Sequence, residues 1–252
     1  MTAARIAIFS DLHANADATR AVLADIDAAE IERMYCLGDL VGYGAEPNET
    51  IDLVHDRDIP TITGNYDDGV GFDRDDCGCP YRDAGERERG QQSLMWTREQ
   101  VTPDRKAWLR TLLPEIRLDE HGHRIRLVHG SPRRMNEYLF EDRDQRSLER
   151  IADGADCDIL VFGHTHIHWD RVINGVRFVN AGSVGKPKDG DPRAAWLLVE
   201  VDDDGVEITL RRVEYDVANA AARIRAAEGL PDRFAADIET AGRTSASAPP
   251  RP

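Results

Sequence analysis

The chain has 252 residues, 41% of them hydrophobic, which is enough to build the core of one large folded domain. Its 32 basic and 47 acidic residues leave a formal net charge of −15, lacking the basic footprint of a bulk nucleic-acid binder while allowing a small nucleotide at a local positive site. No apolar run nears the ~20 residues of a membrane span and ARIAIFS opens without a leader pattern, so the expectation is a cytoplasmic protein with no membrane partner.

ARIAIFSD is a short apolar run that stops at a carboxylate, and it predicts a buried strand. Residues 16–30 place Ala18, Val22, Leu23 and Ile26 at helical spacing, with Asn15 as N-cap. RMYCLGDLVGYG predicts a strand running into a glycine-rich loop, with Cys36 as a small core residue. A helix is expected from Glu46 to Arg57, and IPTITGNYDD repeats the scheme of strand then polar loop. Three such units predict parallel strands with helices outside them. The loop DDCGCP holds Cys77 and Cys79, whose Cys-x-Cys spacing permits a metal or a second thiol, though ordinary reduced cysteines are the leading reading.

Residues 84–113 predict two helices, the second capped by Thr102 with Pro103 in its first turn. The stretch 68–113 reads as a helical insert or cap over a site, with Met95 and Trp96 as packing residues. EIRLDEHGHRIRLVHG is a hairpin around Gly122 ending at His129, residues 143–154 are helical, and DILVFGH, beside Cys157, is another buried strand. WDRVINGVRFVNAGS turns at Asn174-Gly175, and AAWLLVEVD with VEITLRRVEYD makes a further hairpin. A helix from Val217 to about Glu228 completes a single domain over 1–230, and residues 231–252, ending in TSASAPPRP, are expected to form a largely disordered tail. Lysine occurs only at Lys106, Lys186 and Lys188; arginine carries the remaining positive charge.

The polar residues now fall into a pattern. Asp11 and His13, Asp39, Asn65, His129, and His164 and His166 each follow a predicted strand, where open α/β sheets gather their ligands. A lone strand-end aspartate is usually a turn residue. Seven Asp, Asn and His groups arriving from five strands instead suit a metal cluster of the Mn, Fe, Zn or Ni type.

DLH (11–13), GDLVGYG (38–44), GNYD (64–67), HG (129–130) and GHTH (163–166) together resemble the five blocks of calcineurin-like metallophosphoesterases, in order and spacing. The AGSVGKPKDG segment and the compact length are most similar to the small prokaryotic phosphodiesterase-like branch. The resemblance implies an α/β (in some schemes α+β) fold, a four-layer double β-sandwich flanked by helices. It implies two divalent ions, manganese first, with iron, zinc, nickel or magnesium as alternatives. Asp11, His13 and His166 would hold one ion, Asn65, His129 and His164 the other, and Asp39 would bridge them. His168 falls outside the motif and reads as a substrate-side or edge residue.

The reaction that follows is in-line attack of metal-activated hydroxide on the phosphorus of a small or nucleotide-like phosphodiester. Many family members carry a histidine where this chain has Tyr66. Two readings stand: a weak acid or orienting hydroxyl, or a packing residue at the mouth. Either favours leaving groups that need little protonation. Arg133, with Arg134, is placed to hold a phosphate oxygen or to be a solvated loop pair, and Asn180 and Ser183 either support the ligands from behind or simply flank a tight turn at Gly182. The alternatives are a phosphomonoesterase or protein phosphatase, a dinucleoside polyphosphate hydrolase, or an inactive scaffold of the same fold. A small phosphorylated substrate, no stable nucleic-acid complex and a possible homo-oligomer complete the expectation.

Overall fold

A computed structural model describes residues 3–78 and 84–243 of the chain. Its layering follows from side-chain alternation along the apolar strands. In β1 (Ala4–Phe9), Ala7 and Phe9 face the helix α1 (Ala16–Ala28), while Ile6 and Ile8 face the opposite way. β2 (Arg33–Cys36) lies parallel to β1, and the helix α2 (Pro47–His55) follows it. The capping prediction at Asn15 holds, its side chain accepting from Ala18 N at 3.1 Å.

The third expected strand, at 59–63, does not form a ladder. It makes only single bridges, Cys36 to Thr61 and Ile62 to Leu113. Pro60 lacks the N–H that a continued pairing with β2 would use, although its carbonyl accepts from Cys36 N at 3.0 Å. The chain then enters α3 (Asn65–Gly71), the long α4 (Ala84–Gln100) and α5 (Pro103–Leu109). Thr102 precedes α5 without a side-chain cap bond; its hydroxyl accepts from Arg105 instead. On α4, Trp96 reaches the Glu228 carbonyl at 2.8 Å, whereas Met95, expected to pack, is half exposed. Cys77 is buried and Cys79 lies outside the described residues.

The second sheet begins with the hairpin β3 (Ile116–Glu120) and β4 (His123–Leu127), then, after α6 (Gln145–Asp153), β5 (Ile159–Phe162), β6 (Asp170–Ile173) and β7 (Val176–Asn180). Its order is β3-β4-β5-β7-β6, with β4, β5 and β7 parallel and antiparallel strands at both edges. The hairpin of β8 (Ala194–Asp202) and β9 (Gly205–Val213) returns to the first sheet, ordered β2-β1-β8-β9. Ile6, Ile8, Leu197, Val199 and Val201 of the first sheet meet Ile125, Leu127, Ile159 and Val161 of the second in one apolar layer. Leu160, Phe162 and Phe178 face outward onto Leu148 and Ile151 of α6. The result is four layers, helix, sheet, sheet, helix, as expected from the sequence. Cys36 and Cys157 are buried within the two outer cores. Among the described residues, no helix is long and apolar enough to cross a membrane.

The expected tail is where the fold departs from the sequence reading. α7 (Val217–Ala226) is followed by α8 (Arg233–Thr240), which buries Phe234, Ala235 and Ile238 against Ala220, Ala221 and Ile224 of α7. Low complexity governs only the last residues, 244–252, which lie outside the described part; the Phe-x-x-x-Ile spacing before them supplies an apolar stripe. Phe234 also meets Tyr43 edge-on, with ring centroids 5.2 Å apart. Replacing Phe234 by Ala is expected to cost about 3 kcal/mol, read as a lower urea midpoint with an unchanged slope. An unaltered midpoint would mean that α8 contributes no packing.

Candidate metal centre

The parallel strands β1 and β2 of one sheet and β4 and β5 of the other deliver their carboxyl ends to one place. Asp11 follows β1, Asp39 follows β2, His129 follows β4 and His164 follows β5. Backbone bonds weld these ends together: Asp11 N to Gly38 O at 3.0 Å, His13 N to Asp39 O at 3.0 Å, and Gly163 N to His129 O at 2.9 Å. All seven predicted ligand residues are at most 3% exposed.

They fall into two groups, Asp11 with His13 and His166, and Asp39 with His129 and His164. In the first, His13 Nε2 lies 3.0 Å from His166 Nε2, and Asp11 Oδ1 lies 3.7 Å and 3.3 Å from these two atoms. In the second, His129 Nε2 lies 3.2 Å from His164 Nδ1, 3.2 Å from Asn65 Oδ1 and 3.4 Å from Asp39 Oδ2. Asp39 Oδ2 is also 3.7 Å from His13 Nε2, so one carboxylate oxygen faces both groups.

The backbone decides which ring nitrogens point inward. His13 Nδ1 donates to Val41 O at 3.0 Å, His129 Nδ1 to Leu37 O at 2.8 Å, and His166 Nδ1 to Lys186 O at 2.6 Å. Their Nε2 atoms therefore face the centre, as lone pairs on His13 and His166, while in the metal-free protein that of His129 keeps a proton beside Asp39. The aspartates are oriented similarly. Asp39 Oδ1 accepts from Tyr66 N at 2.9 Å and Asp11 Oδ2 from His164 N at 2.9 Å, while Asp11 Oδ1 is buried without a hydrogen-bond partner. Lone pairs of His13 and His166 facing each other at this separation, beside an orphaned carboxylate oxygen, are what a divalent cation would satisfy. The nitrogen and oxygen donor set fits such an ion.

This arrangement requires unusual backbone. Asp11 (φ 57°), His13 (48°), Asp39 (53°), His164 (67°) and His166 (61°) all adopt the left-handed region. Tight left-handed turns, rather than the side-chain alternation of a strand, therefore aim the rings of His164 and His166. Gly163 is required by contact, since a Cβ there would sit 2.1 Å from Ser10 Oγ and 2.5 Å from Asp11 Oδ2.

Burial and mutual charge set the protonation of the metal-free centre. Burial raises Asp11 to about 6 despite the opposing charge of His129. Burial also opposes ionisation of Asp39, but His129 and the other imidazoles hold it below the usual carboxylate range. His129 is itself raised to about 9, because the Asp39 carboxylate outweighs the burial that would lower it. Burial lowers His13 to about 4 and takes His164 and His166 well below their ordinary value.

Several supporting residues are evident. Asp67 accepts from Asp39 N at 2.7 Å, Leu40 N at 2.9 Å and Gly64 N at 3.0 Å, tying the GDL and GNYD turns together. Ser183 Oγ donates to Asp11 O at 2.7 Å and Asn180 Nδ2 to Gly163 O at 2.8 Å, while Asn180 Oδ1 accepts from Gly182 N at 2.8 Å in the turn between them. Tyr138, which the sequence did not single out, stacks on His164 with centroids 4.3 Å apart. Nothing in its loop sequence marks that contact in advance. Tyr66 is buried, its ring packed against Tyr43 and edge-on to His13, with its hydroxyl 3.4 Å from Gly90 O of α4. His168 Nδ1 bonds Asn180 O at 2.6 Å, outside both groups. Arg133 is not drawn in: its guanidinium pairs with Glu137, Nε to Oε2 at 3.1 Å, and Arg143 shares that carboxylate. A carboxylate four residues along the same loop captures it first.

The model of the calcineurin-like phosphoesterase superfamily domain matches residues 4–204. The uncharacterized protein MJ0912 of Methanocaldococcus jannaschii is 32% identical over 255 residues, covering 93% of this chain and 98% of that protein. Among solved structures, a metallophosphoesterase from Sphaerobacter thermophilus is 30% identical with a TM-score of 0.74, covering 95% of this chain and 99% of that one. The hypothetical protein PH1004 of Pyrococcus horikoshii shares the fold, with a TM-score of 0.82 at 23% identity and the same coverage. Matched along most of its length, and carrying two buried groups of metal-ligating side chains at the ends of its parallel strands, the chain belongs to the calcineurin-like phosphoesterase superfamily.

Proposed function

We propose that the protein is a metal-dependent phosphodiesterase acting on a small or nucleotide-like phosphodiester, with a pair of divalent ions, manganese first, as its cofactor. The observation that carries this reading is Asp39 Oδ2 facing both ligand groups at once. Asp11, His13, His166 and Asp39 would hold one ion, and Asp39, Asn65, His129 and His164 the other. When bound, such a pair supplies Lewis acidity toward phosphoryl oxygens and lowers the pKa of water toward neutrality.

The chain's own residues do the rest. Carbonyls of Leu37, Val41 and Lys186 keep three imidazoles in the tautomer that presents Nε2. Tyr66 N–H and Asp67 fix the Asp39 carboxylate and its backbone. The diester preference rests on proton supply. The Tyr66 ring is committed to packing and its hydroxyl turns toward the Gly90 carbonyl, and the one nearby histidine outside the ligand groups, His168, is bonded to Asn180. A leaving group that departs with little protonation is then favoured over a simple alkoxide.

In the metal-free protein at pH 7, His129 carries a proton that an incoming cation must displace. Metal binding should therefore release protons, and affinity should rise with pH through about 9 and level off above it, once His129 has lost its proton. Calorimetry in buffers of different ionisation enthalpy checks this; a proton count of zero at pH 7 would contradict it. Asp39→Asn is expected to lower turnover by about three orders of magnitude, the scale of losing a principal electrostatic contributor, and to reduce bound metal by elemental analysis. Turnover equal to the parent protein would remove the dinuclear mechanism. On a panel of aryl esters, bis-p-nitrophenyl phosphate should turn over faster than the corresponding monoester, and the reverse order would assign a monoesterase.

A further inference from the structure

We propose that Tyr138 is a positioning residue of the metal centre: its ring, stacked on His164, does for that ligand what a main-chain carbonyl does for the other three imidazoles, and so sets how tightly the second ligand group holds its ion. The assignment rests on the dinuclear reading above and adds to it the residue that aims one ligand.

The four histidines are not held alike. His13, His129 and His166 each donate Nδ1 to a backbone carbonyl and turn Nε2 inward. His164 is reversed. Its Nδ1 faces the centre, 3.2 Å from His129 Nε2, and its Nε2 is buried without a hydrogen-bond partner. The Asn136 main chain approaches the ring, but not in bonding geometry. A ring lacking that second bond can swing about its last torsion, which is soft for histidine. What limits the swing is a plane: the Tyr138 ring lies 4.3 Å from that of His164 between centroids, with 17° between them. Tyr43 and Tyr66, by contrast, meet His13 at 78° and 86°. Among the described residues, no other ligand histidine has a phenol or phenyl ring stacked on its face.

Tyr138 can serve in this way because its own loop is fixed. It sits half-buried between β4 and α6. Its carbonyl accepts from Arg143 Nη1 at 2.7 Å, and the next carbonyl, that of the buried Leu139, accepts from Trp169 Nε1 at 3.0 Å. On the other side, the Glu137 carboxylate accepts from Ser131 Oγ at 2.6 Å, Arg133 Nε at 3.1 Å and Arg143 Nη2 at 2.7 Å. The pairing that turns Arg133 away from the centre thus has a part in it: it braces the residue that braces a ligand. The stack also has the right sign. A phenol face is electron-rich, and an imidazole grows electron-poor when its inward nitrogen binds a cation, so the contact strengthens as the ion arrives.

The test compares Tyr138→Ala, Tyr138→Leu and Tyr138→Phe with the parent, all as the full chain. Bound manganese is counted by equilibrium dialysis, cobalt titrations are followed by visible absorption, and turnover of bis-p-nitrophenyl phosphate is recorded against manganese concentration. The parent should bind two equivalents. Tyr138→Ala should bind the first as the parent does and the second about tenfold more weakly, the lower end of the range for a lost supporting contact, with turnover at saturating metal within about threefold. Tyr138→Leu fills space without offering a plane and should share the loss, whereas Tyr138→Phe should recover most of the affinity. The leucine and phenylalanine variants carry the comparison if the alanine variant does not fold. Parental affinity for the second equivalent in Tyr138→Leu, or an equal loss in Tyr138→Phe and Tyr138→Leu, would overturn the assignment. If the parent binds two equivalents and the variants do so equally well, only this assignment falls; if the parent binds no second equivalent, the dinuclear reading falls with it.

Discussion

Lone pairs brought face to face inside a protein repel, and the rest of this structure is organised around tolerating that repulsion. His13 and His166 point unprotonated nitrogens at each other, with a partnerless carboxylate oxygen of Asp11 alongside. Left to itself, each ring would rotate toward a donor. Rotation is blocked because the opposite nitrogen of each ring is already bonded to a main-chain carbonyl, Val41 for one and Lys186 for the other. The cost of assembling the centre is thus met by the polypeptide before any cation arrives, which is the physical meaning of preorganisation.

Two sheets are needed because one cannot supply enough convergent ends. β1 and β2 bring two carboxylates, while β4 and β5 bring the imidazoles that face them. The apolar layer between the sheets fixes their separation, so small shifts of Ile6, Ile8, Ile159 or Val161 would propagate directly to distances between ligands. The helical layers complete the burial: α1 covers one sheet, α6 the other, and α8 closes the side on which Lys186 and Tyr43 meet.

The ligand set was legible because each member sits at a punctuation mark that sequence displays well, a polar residue immediately after an apolar run. Asp11, Asp39 and His129 need only that signal, and the layered fold follows from the same strands. What stayed hidden was whatever depends on the path of the main chain. No side chain announces that Leu37 and Val41 will offer carbonyls to histidines, or that GHTH will turn through left-handed residues rather than extend. The two readings of Arg133 could not be separated beforehand because its partner Glu137 is visible in the sequence but the loop geometry that joins them is not. The stretch 231–243 was misjudged by its neighbours: a proline-rich end drew attention from an apolar stripe as short as Phe234 to Ile238.

The five left-handed backbone positions make the chemistry and the shape of this protein hard to separate over evolutionary time. Aspartate, asparagine and histidine visit that conformation more willingly than most residues, and glycine visits it freely. A lineage abandoning the centre cannot drift through arbitrary residues at Asp11, Asp39 or His164; branched and bulky replacements would force the loops open. The expected relics of a lost function are therefore asparagines and glycines standing where ligands once stood, on an otherwise unchanged frame.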